Sequence, residues 1–325
     1  MLGSTAFCQV GINFEQLTFD EALVKAKAEN KMVFMDCCTR WCTACKLIAK
    51  NVFTLEKVGD FMNKNFVCLK LDMEKEEGPE LAKRFGVAIY PTFLIVEQDG
   101  TVRHRFIGNS KEDVFIQRVE EGLNGNTALA TLAAKYNSGN RDKAVLMQYI
   151  KTLENLKDPA VKTVIEDLLN VATDEDKTSP DYWFIFKDQE YSPRNSDAME
   201  YLLTHREQFY RTVGVKKVDT RLSADLSKEI FAAISGKGEP VDGKRLNAIG
   251  KEIKALKLSN ERSLLASLAI AKAAISGDID RLLSVCEKKL PQVQSRRAEL
   301  ISNLYTPFAS ATEEQKIHWQ KIANS

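Results

Sequence analysis

The chain has 325 residues with 46 Lys and Arg against 45 Asp and Glu, a net charge of +1 that excludes a global electrostatic pull toward nucleic acid or an anionic membrane. Its 44% hydrophobic and 28% charged content is that of a folded globular chain long enough for two domains, and no run of eighteen uncharged residues is present to form a membrane span. Seven cysteines are too few for a disulfide-stapled scaffold, yet Cys37, Cys38, Cys42 and Cys45 fall within nine residues.

The first charge comes at Glu15. The stretch before it, MLGSTAFCQVGINF, is apolar and small-residue-rich, like the tail of a secretory signal that lacks its basic segment. The expectation is an extracytoplasmic, periplasm-like location with a truncated signal; the alternative is a cytoplasmic protein starting at Met1. Cys8 is read as an incidental residue of a loose end.

From about residue 14 to 124, helical and strand patterns alternate, which predicts an α/β layer structure. Thr18 to Glu21 forms a capping box that opens a helix. Met32–Cys37 is an apolar run broken only by Asp36, and suits a central strand buried on both faces. A helix should begin near Cys42, and Thr54 should cap another. Phe66–Leu71 predicts a second strand, and Pro79 a helical turn through Phe85. Thr92–Val96 predicts a third strand, Gln98-Asp99-Gly100 a hairpin turn, and Thr101–Ile107 a fourth strand. Ser110 is expected to cap a helix ending at Gly125. From 125 to 325 the periodicity is helical, over segments such as 141–156, 197–210, 223–234 and 264–275, with Ser-Gly stops at 138–139, 235–236 and 276–277. The acidic stretch 172–180 reads as a linker, and the aromatic run Tyr182–Phe186 as a core anchor. The predicted domains are 14–124 and an all-helical 125–325.

Arg40-Trp41-Cys42-Thr43-Ala44-Cys45-Lys46 follows the first strand directly. At a helix start, the first cysteine meets unpaired N–H groups and the positive end of the dipole, which favour a thiolate. Arg40 and Lys46 add positive charge. Residues three apart on a helix share a face, so their sulfurs can join. Cys42 can then attack a substrate disulfide, and Cys45 can resolve the mixed disulfide.

Trp-Cys-x-x-Cys-Lys after Val33-Phe34-Met35-Asp36, then Phe66 to Asp72 and Gly86 to Phe93 in matching order, resembles the thioredoxin superfamily, and Asn51-Val52-Phe53 with the acidic stretch Asp72 to Pro79 resembles its periplasmic thiol–disulfide interchange domains. The resemblance implies a central mixed sheet flanked by helices, Cys42 as the exposed nucleophile and Cys45 as the buried resolving thiol. It implies that Asp36 is the buried carboxylate beneath the pair, raised in pKa by desolvation and able to exchange a proton with Cys45, with Lys70 beside it. Pro91 matches the cis-proline opposite the dithiol, where the flanking Tyr90 and Thr92 can pair with an extended substrate. Trp41 would shield the pair. Thr43-Ala44 departs from the Gly-Pro of cytosolic thioredoxins, and Cys38 stands where an aromatic residue is common.

The implied activity is protein thiol–disulfide oxidoreduction in the reducing or isomerising direction, without a cofactor or metal. Its partners are protein disulfides and an upstream electron donor or acceptor. The alternative makes the helical domain a partner-binding scaffold and the CxxC pair structural or metal-binding, with Cys37 and Cys38 completing the ligand set. Against that set, successive strand residues send Cys37 and Cys38 to opposite faces. Cys37, Cys38, Cys68 and Cys286 are read as buried inert thiols, and His104, His205 and His318 as surface or packing residues.

Overall fold

A computed structural model describes residues 10–238, 240–294 and 296–324. Cys8 and the apolar start before Val10 lie outside these. Two compact units result, the first ending at Ala172 and the second beginning at Thr173.

The first unit is built on a four-stranded sheet of order β2-β1-β3-β4, with β1 (Met32–Cys38), β2 (Phe66–Asp72), β3 (Thr92–Val96) and β4 (Val102–Ile107). β1 is parallel to β2 and antiparallel to β3, and β3 is antiparallel to β4. The sheet is therefore mixed. β1 is central, so both its faces are covered, and its side chains sort by the two-residue period. Val33, Met35 and Cys37 join Phe19, Ala22 and Ala26 of α1 (Phe19–Glu29) and Leu81 and Phe85 of α4 (Gly78–Phe85). Phe34 faces the other layer, with Ile48 of α2 (Thr43–Asn51), Met62 of α3 (Glu56–Asn65) and Phe115 of α5 (Glu112–Leu123). In that layer the Phe93 ring lies 5.0 to 6.0 Å from those of Phe34, Phe53, Phe106 and Phe115. Truncating a fully buried ring of this kind costs about 3–5 kcal/mol.

Some expected caps fall elsewhere. The capping box at Thr18 and Glu21 forms as read. Thr54 does not cap α3: its hydroxyl donates back to the Lys50 carbonyl at 2.8 Å, and Leu55 occupies the cap. Ser110 does not cap α5, whose cap position is Lys111. These two hydroxyl residues sit one step too early for their side chains to reach the first free N–H groups.

Three further helices, α6 (Leu129–Asn137), α7 (Lys143–Leu156) and α8 (Val161–Val171), belong to the first unit, with α6 and α7 against β4. His104 of β4 is buried there, and its Nδ1 accepts from the Leu129 N–H at 3.1 Å. Burial, opposed by Glu121, pushes its pKa down to about 4.

The second unit is helical. The stretch read as a linker instead starts with a helical turn, α9 (Asp174–Lys177), because Thr173 and Asp176 form a capping box. The segment 197–210 divides at His205 into α11 (Asp197–Thr204) and α12 (Arg206–Thr212), after the short α10 (Trp183–Lys187). Tyr182, Ile185 and Phe186 are buried. Past α13 (Val215–Leu222), α14 (Ala224–Ser235), α15 (Gly243–Leu256), α16 (Glu261–Ala274) and α17 (Ile279–Lys289) pack together, with α16 against the other three. No helix among the described residues is long and apolar enough to cross a membrane.

Candidate active site

α2 starts where β1 ends, and Cys42 is its N-cap with extended backbone. A cap residue offers a side-chain acceptor to the free N–H groups of the first turn. Here that acceptor is sulfur: Cys42 Sγ receives the Cys45 N–H at 3.0 Å. The first turn of α2 carries no acidic residue, so no side chain of that turn offsets the positive end of its dipole. Cys42 and Cys45 are joined as a disulfide with Cα atoms 5.3 Å apart.

Cys42 was expected to stand open to solvent, and in this disulfide form it does not. It is only 4% exposed. Cys38, Cys42 and Cys45 form one cluster, and Ala44 and Tyr90 pack against it. Trp41 is 64% exposed beside it, edge-on to Tyr90 at 6.0 Å, with its Nε1–H donated to Glu74 Oε1 at 2.8 Å. A cis peptide joins Tyr90 to Pro91. The β1–β3 register pairs Cys37 with Thr92, which brings this loop to the end of β1 where α2 begins. Thr92 is buried, and its hydroxyl donates to the Ile89 carbonyl at 2.6 Å.

Asp36 shares a strand face with Phe34 and Cys38. Phe34 packs under Ile48 of α2 and Val52 just past its end, and Cys38 against the disulfide, so Asp36 lies between them beneath the N-terminal half of α2. It is fully buried, and neither carboxylate oxygen has a hydrogen-bond partner among the described residues. Across the parallel register its opposite residue is Lys70, whose Nζ lies 3.4 Å from Asp36 Oδ2. Desolvation raises the Asp36 pKa to about 6, against the opposing pull of the Lys70 ammonium. Burial also lifts the Cys38 and Cys68 thiols to about 12 and Cys37 higher still.

The family model Thioredox_DsbH, described as "Protein of unknown function, DUF255", matches residues 12–100. Thioredoxin H4 of Arabidopsis thaliana is 35% identical over 92 residues, covering 28% of this chain and 72% of that relative. The chain belongs to the thioredoxin family. Its thioredoxin unit is also 33% identical over 101 residues to the thiol:disulfide interchange protein DsbD of Pseudomonas fluorescens, 30% of this chain and 17% of that protein. A solved structure of a candidate disulphide-isomerase from Bacteroides thetaiotaomicron shares 44% identity over 35% of this chain and 93% of that one, with a TM-score of 0.33. With a joined Cys42–Cys45 pair at the helix start, the thioredoxin unit is a thiol–disulfide oxidoreductase.

The structure thus brings Asp36, Trp41, Cys42, Cys45, Lys70, Tyr90, Pro91 and Thr92 to the end of β1 and its flanks. Cys37 points into the opposite layer from Cys38, which separates the four neighbouring cysteines. Among the described residues no group of three or more His, Cys, Asp or Glu could hold a metal. The sequence reading missed Glu74, the partner of Trp41. Its signal was its place two residues after a strand parallel to β1. It also missed Phe14 and Phe53, whose rings lie over Lys70.

Proposed function

We propose that the chain reduces or isomerises disulfides of protein substrates, with Cys42 attacking and Cys45 resolving. The observation that carries this reading is the Cys42–Cys45 pair at an acid-free helix start with the buried Asp36–Lys70 pair beneath it. In the reduced form, the Cys42 thiolate attacks one substrate sulfur. The substrate S–S bond breaks, its second sulfur leaves as a thiolate, and a mixed disulfide forms. Cys45 gives its proton toward Asp36 and attacks Cys42 Sγ, which frees the first substrate sulfur and closes the Cys42–Cys45 disulfide. Two electrons have passed to the substrate, and a dithiol donor must return them. Tyr90, Pro91 and Thr92 offer backbone to an extended substrate segment, and Trp41 an apolar landing surface.

Residues 14–124 carry this chemistry in our reading; of the helices expected from 125 on, α6–α8 extend the same unit to Ala172, and the separate helical unit is taken to begin at Thr173. The site of action is placed outside the cytoplasm, a reading supported by similarity to an interchange protein. Cell fractionation with detection of the chain tests it, and recovery in the cytoplasmic fraction alone would overturn it.

The decisive experiment is insulin reduction by the full chain and by Cys42→Ser and Cys45→Ser. Loss of activity in both, with a trapped mixed disulfide in Cys45→Ser, is expected; unchanged activity in either sinks the dithiol mechanism. Equilibration of the couple with glutathione then fixes direction. A potential near about −270 mV is that of a reductant, and one near about −120 mV that of an oxidant, against our reading.

A further inference from the structure

The Asp36–Lys70 pair lacks a directional hydrogen bond, since neither Asp36 oxygen has a hydrogen-bond partner among the described residues, although Nζ is only 3.4 Å from Oδ2. The Lys70 side chain is 37% exposed, and a four-carbon stem so placed is free to swing its ammonium toward water. The ion pair with Asp36 attracts it without fixing its direction, and two rings stand beside it. The Nζ lies 5.8 Å from the centroid of Phe14 and 5.8 Å from that of Phe53, within range of attraction by both ring faces. The two rings are in contact with each other, 5.4 Å apart.

Phe53 also serves the aromatic core, but Phe14 is delivered by a strap of chain ahead of α1. Its residue pairs in parallel with Cys68, the Glu15 N–H reaches the Cys68 carbonyl at 2.9 Å, and the Ile12 N–H reaches the Phe53 carbonyl at 2.8 Å. Gly59 of α3 lets the strap pass: a Cβ there would lie 2.2 Å from the Gly11 carbonyl oxygen.

We propose that Phe14 is a positioning residue for thiol–disulfide exchange: with Phe53 it cages the Lys70 ammonium and fixes it beside Asp36. The inference rests on the reading of Asp36 as proton acceptor. Without the ring, the ammonium moves outward and the Asp36 carboxylate loses its compensating charge. The titratable groups near Asp36 are Lys70 from β2 and, on its own strand, Cys38 on the same face and Cys37 on the opposite one, both raised by burial and further by its charge; its β3 register partner is Phe93, and the joined Cys42 and Cys45 do not titrate.

The test is an NMR titration of the Asp36 carboxyl carbon in the oxidised full chain, which needs no substrate. Phe14→Leu keeps an apolar contact but removes the ring face, and is expected to raise the Asp36 midpoint by about half a pH unit. In a Lys70→Met background the same change should move nothing. Should Phe14→Leu fail to fold, phenylalanines of increasing fluorination at position 14 keep the shape while draining the ring face, and the midpoint should climb along the series. A midpoint that stays or falls, or that shifts equally without Lys70, overturns the cage. The proton-acceptor role fails separately, if Asp36→Asn exchanges disulfides at the wild-type rate while the cage titration behaves as expected.

Discussion

Asp36 and Lys70 face each other across the parallel register of β1 and β2, and the carboxylate of the pair has no access to water while the ammonium does. Burial therefore wins over attraction, and the Asp36 pKa stands at about 6 instead of 3.8. A raised carboxyl pKa in the folded state means that the unfolded chain ionises first as pH increases. The folded state is then favoured fully below about pH 4 and loses that advantage as pH climbs through about 6. The loss is on the order of 2–3 kcal/mol. In the oxidised protein, the guanidinium midpoints of wild type and Asp36→Asn should diverge from pH 4 to pH 7.5 in favour of the variant. His104 titrates oppositely, but it is present in both chains and cancels. A constant gap across this range would show that Asp36 is not buried in its charged form.

The open positive end of α2 predicts a charge effect. Thr43 is exposed in the first turn, which contains no acid. Thr43→Asp should improve the helix start yet disfavour the Cys42 thiolate by about 0.3–1 kcal/mol. Alkylation of reduced Cys42 by iodoacetamide at pH 7 should slow by about two- to fivefold, and the difference should shrink in high salt. An accelerated reaction would mean that the helix start does not set the thiolate.

The other thiols among the described residues should be silent. Cys37, Cys38, Cys68 and Cys286 are buried, with desolvation holding Cys38, Cys68 and Cys286 at about 12. Substoichiometric alkylation of the reduced native chain at pH 8, read by peptide mass spectrometry, should mark Cys42 first. The four should react only after unfolding. A variant with all four changed to alanine or serine should keep disulfide exchange, with loss confined to stability. Rapid native labelling of Cys38 would instead make it a third participant, since it touches the pair.

Much of this site was legible because its chemistry and its fold share a short span. The two-residue period around Asp36 and the three-residue spacing of Cys42 and Cys45 are local signals, and each strand from β1 to β4 lies within a residue of its expected bounds. What was not legible depends on which strands become neighbours. Glu74 reaches Trp41 only because β2 runs parallel to β1, and Phe14 reaches Lys70 only because its strap crosses α3 at Gly59. The packing on the Cys38–Cys42–Cys45 cluster comes partly from Tyr90, some fifty residues along the chain, and no local pattern announces such a contact. Caps failed for a smaller reason, since a shift of one residue is enough to move a hydroxyl out of reach.

That packing leads to the last prediction. Tyr90 packs on the disulfide cluster and meets Trp41 edge-on, while Trp41 is tied to Glu74 at its far side. Cys42 is buried in the disulfide form, and the expectation is that Tyr90 screens it from a bulky substrate. Tyr90→Ala should therefore speed reduction of the Cys42–Cys45 disulfide by a small reagent such as dithiothreitol severalfold. It should also slow exchange with a protein disulfide, because the landing surface is lost with the cover. Glu74→Ala releases Trp41 without removing a ring. It should leave the dithiothreitol rate near wild type and raise KM for the protein substrate modestly, since an exposed hydrogen bond of this kind is worth about 0.5–1.5 kcal/mol. The check is stopped-flow Trp fluorescence with both reagents on the full chain. If Tyr90→Ala leaves the small-reagent rate unchanged, the covered state of Cys42 is no barrier, and access is governed elsewhere in the loop.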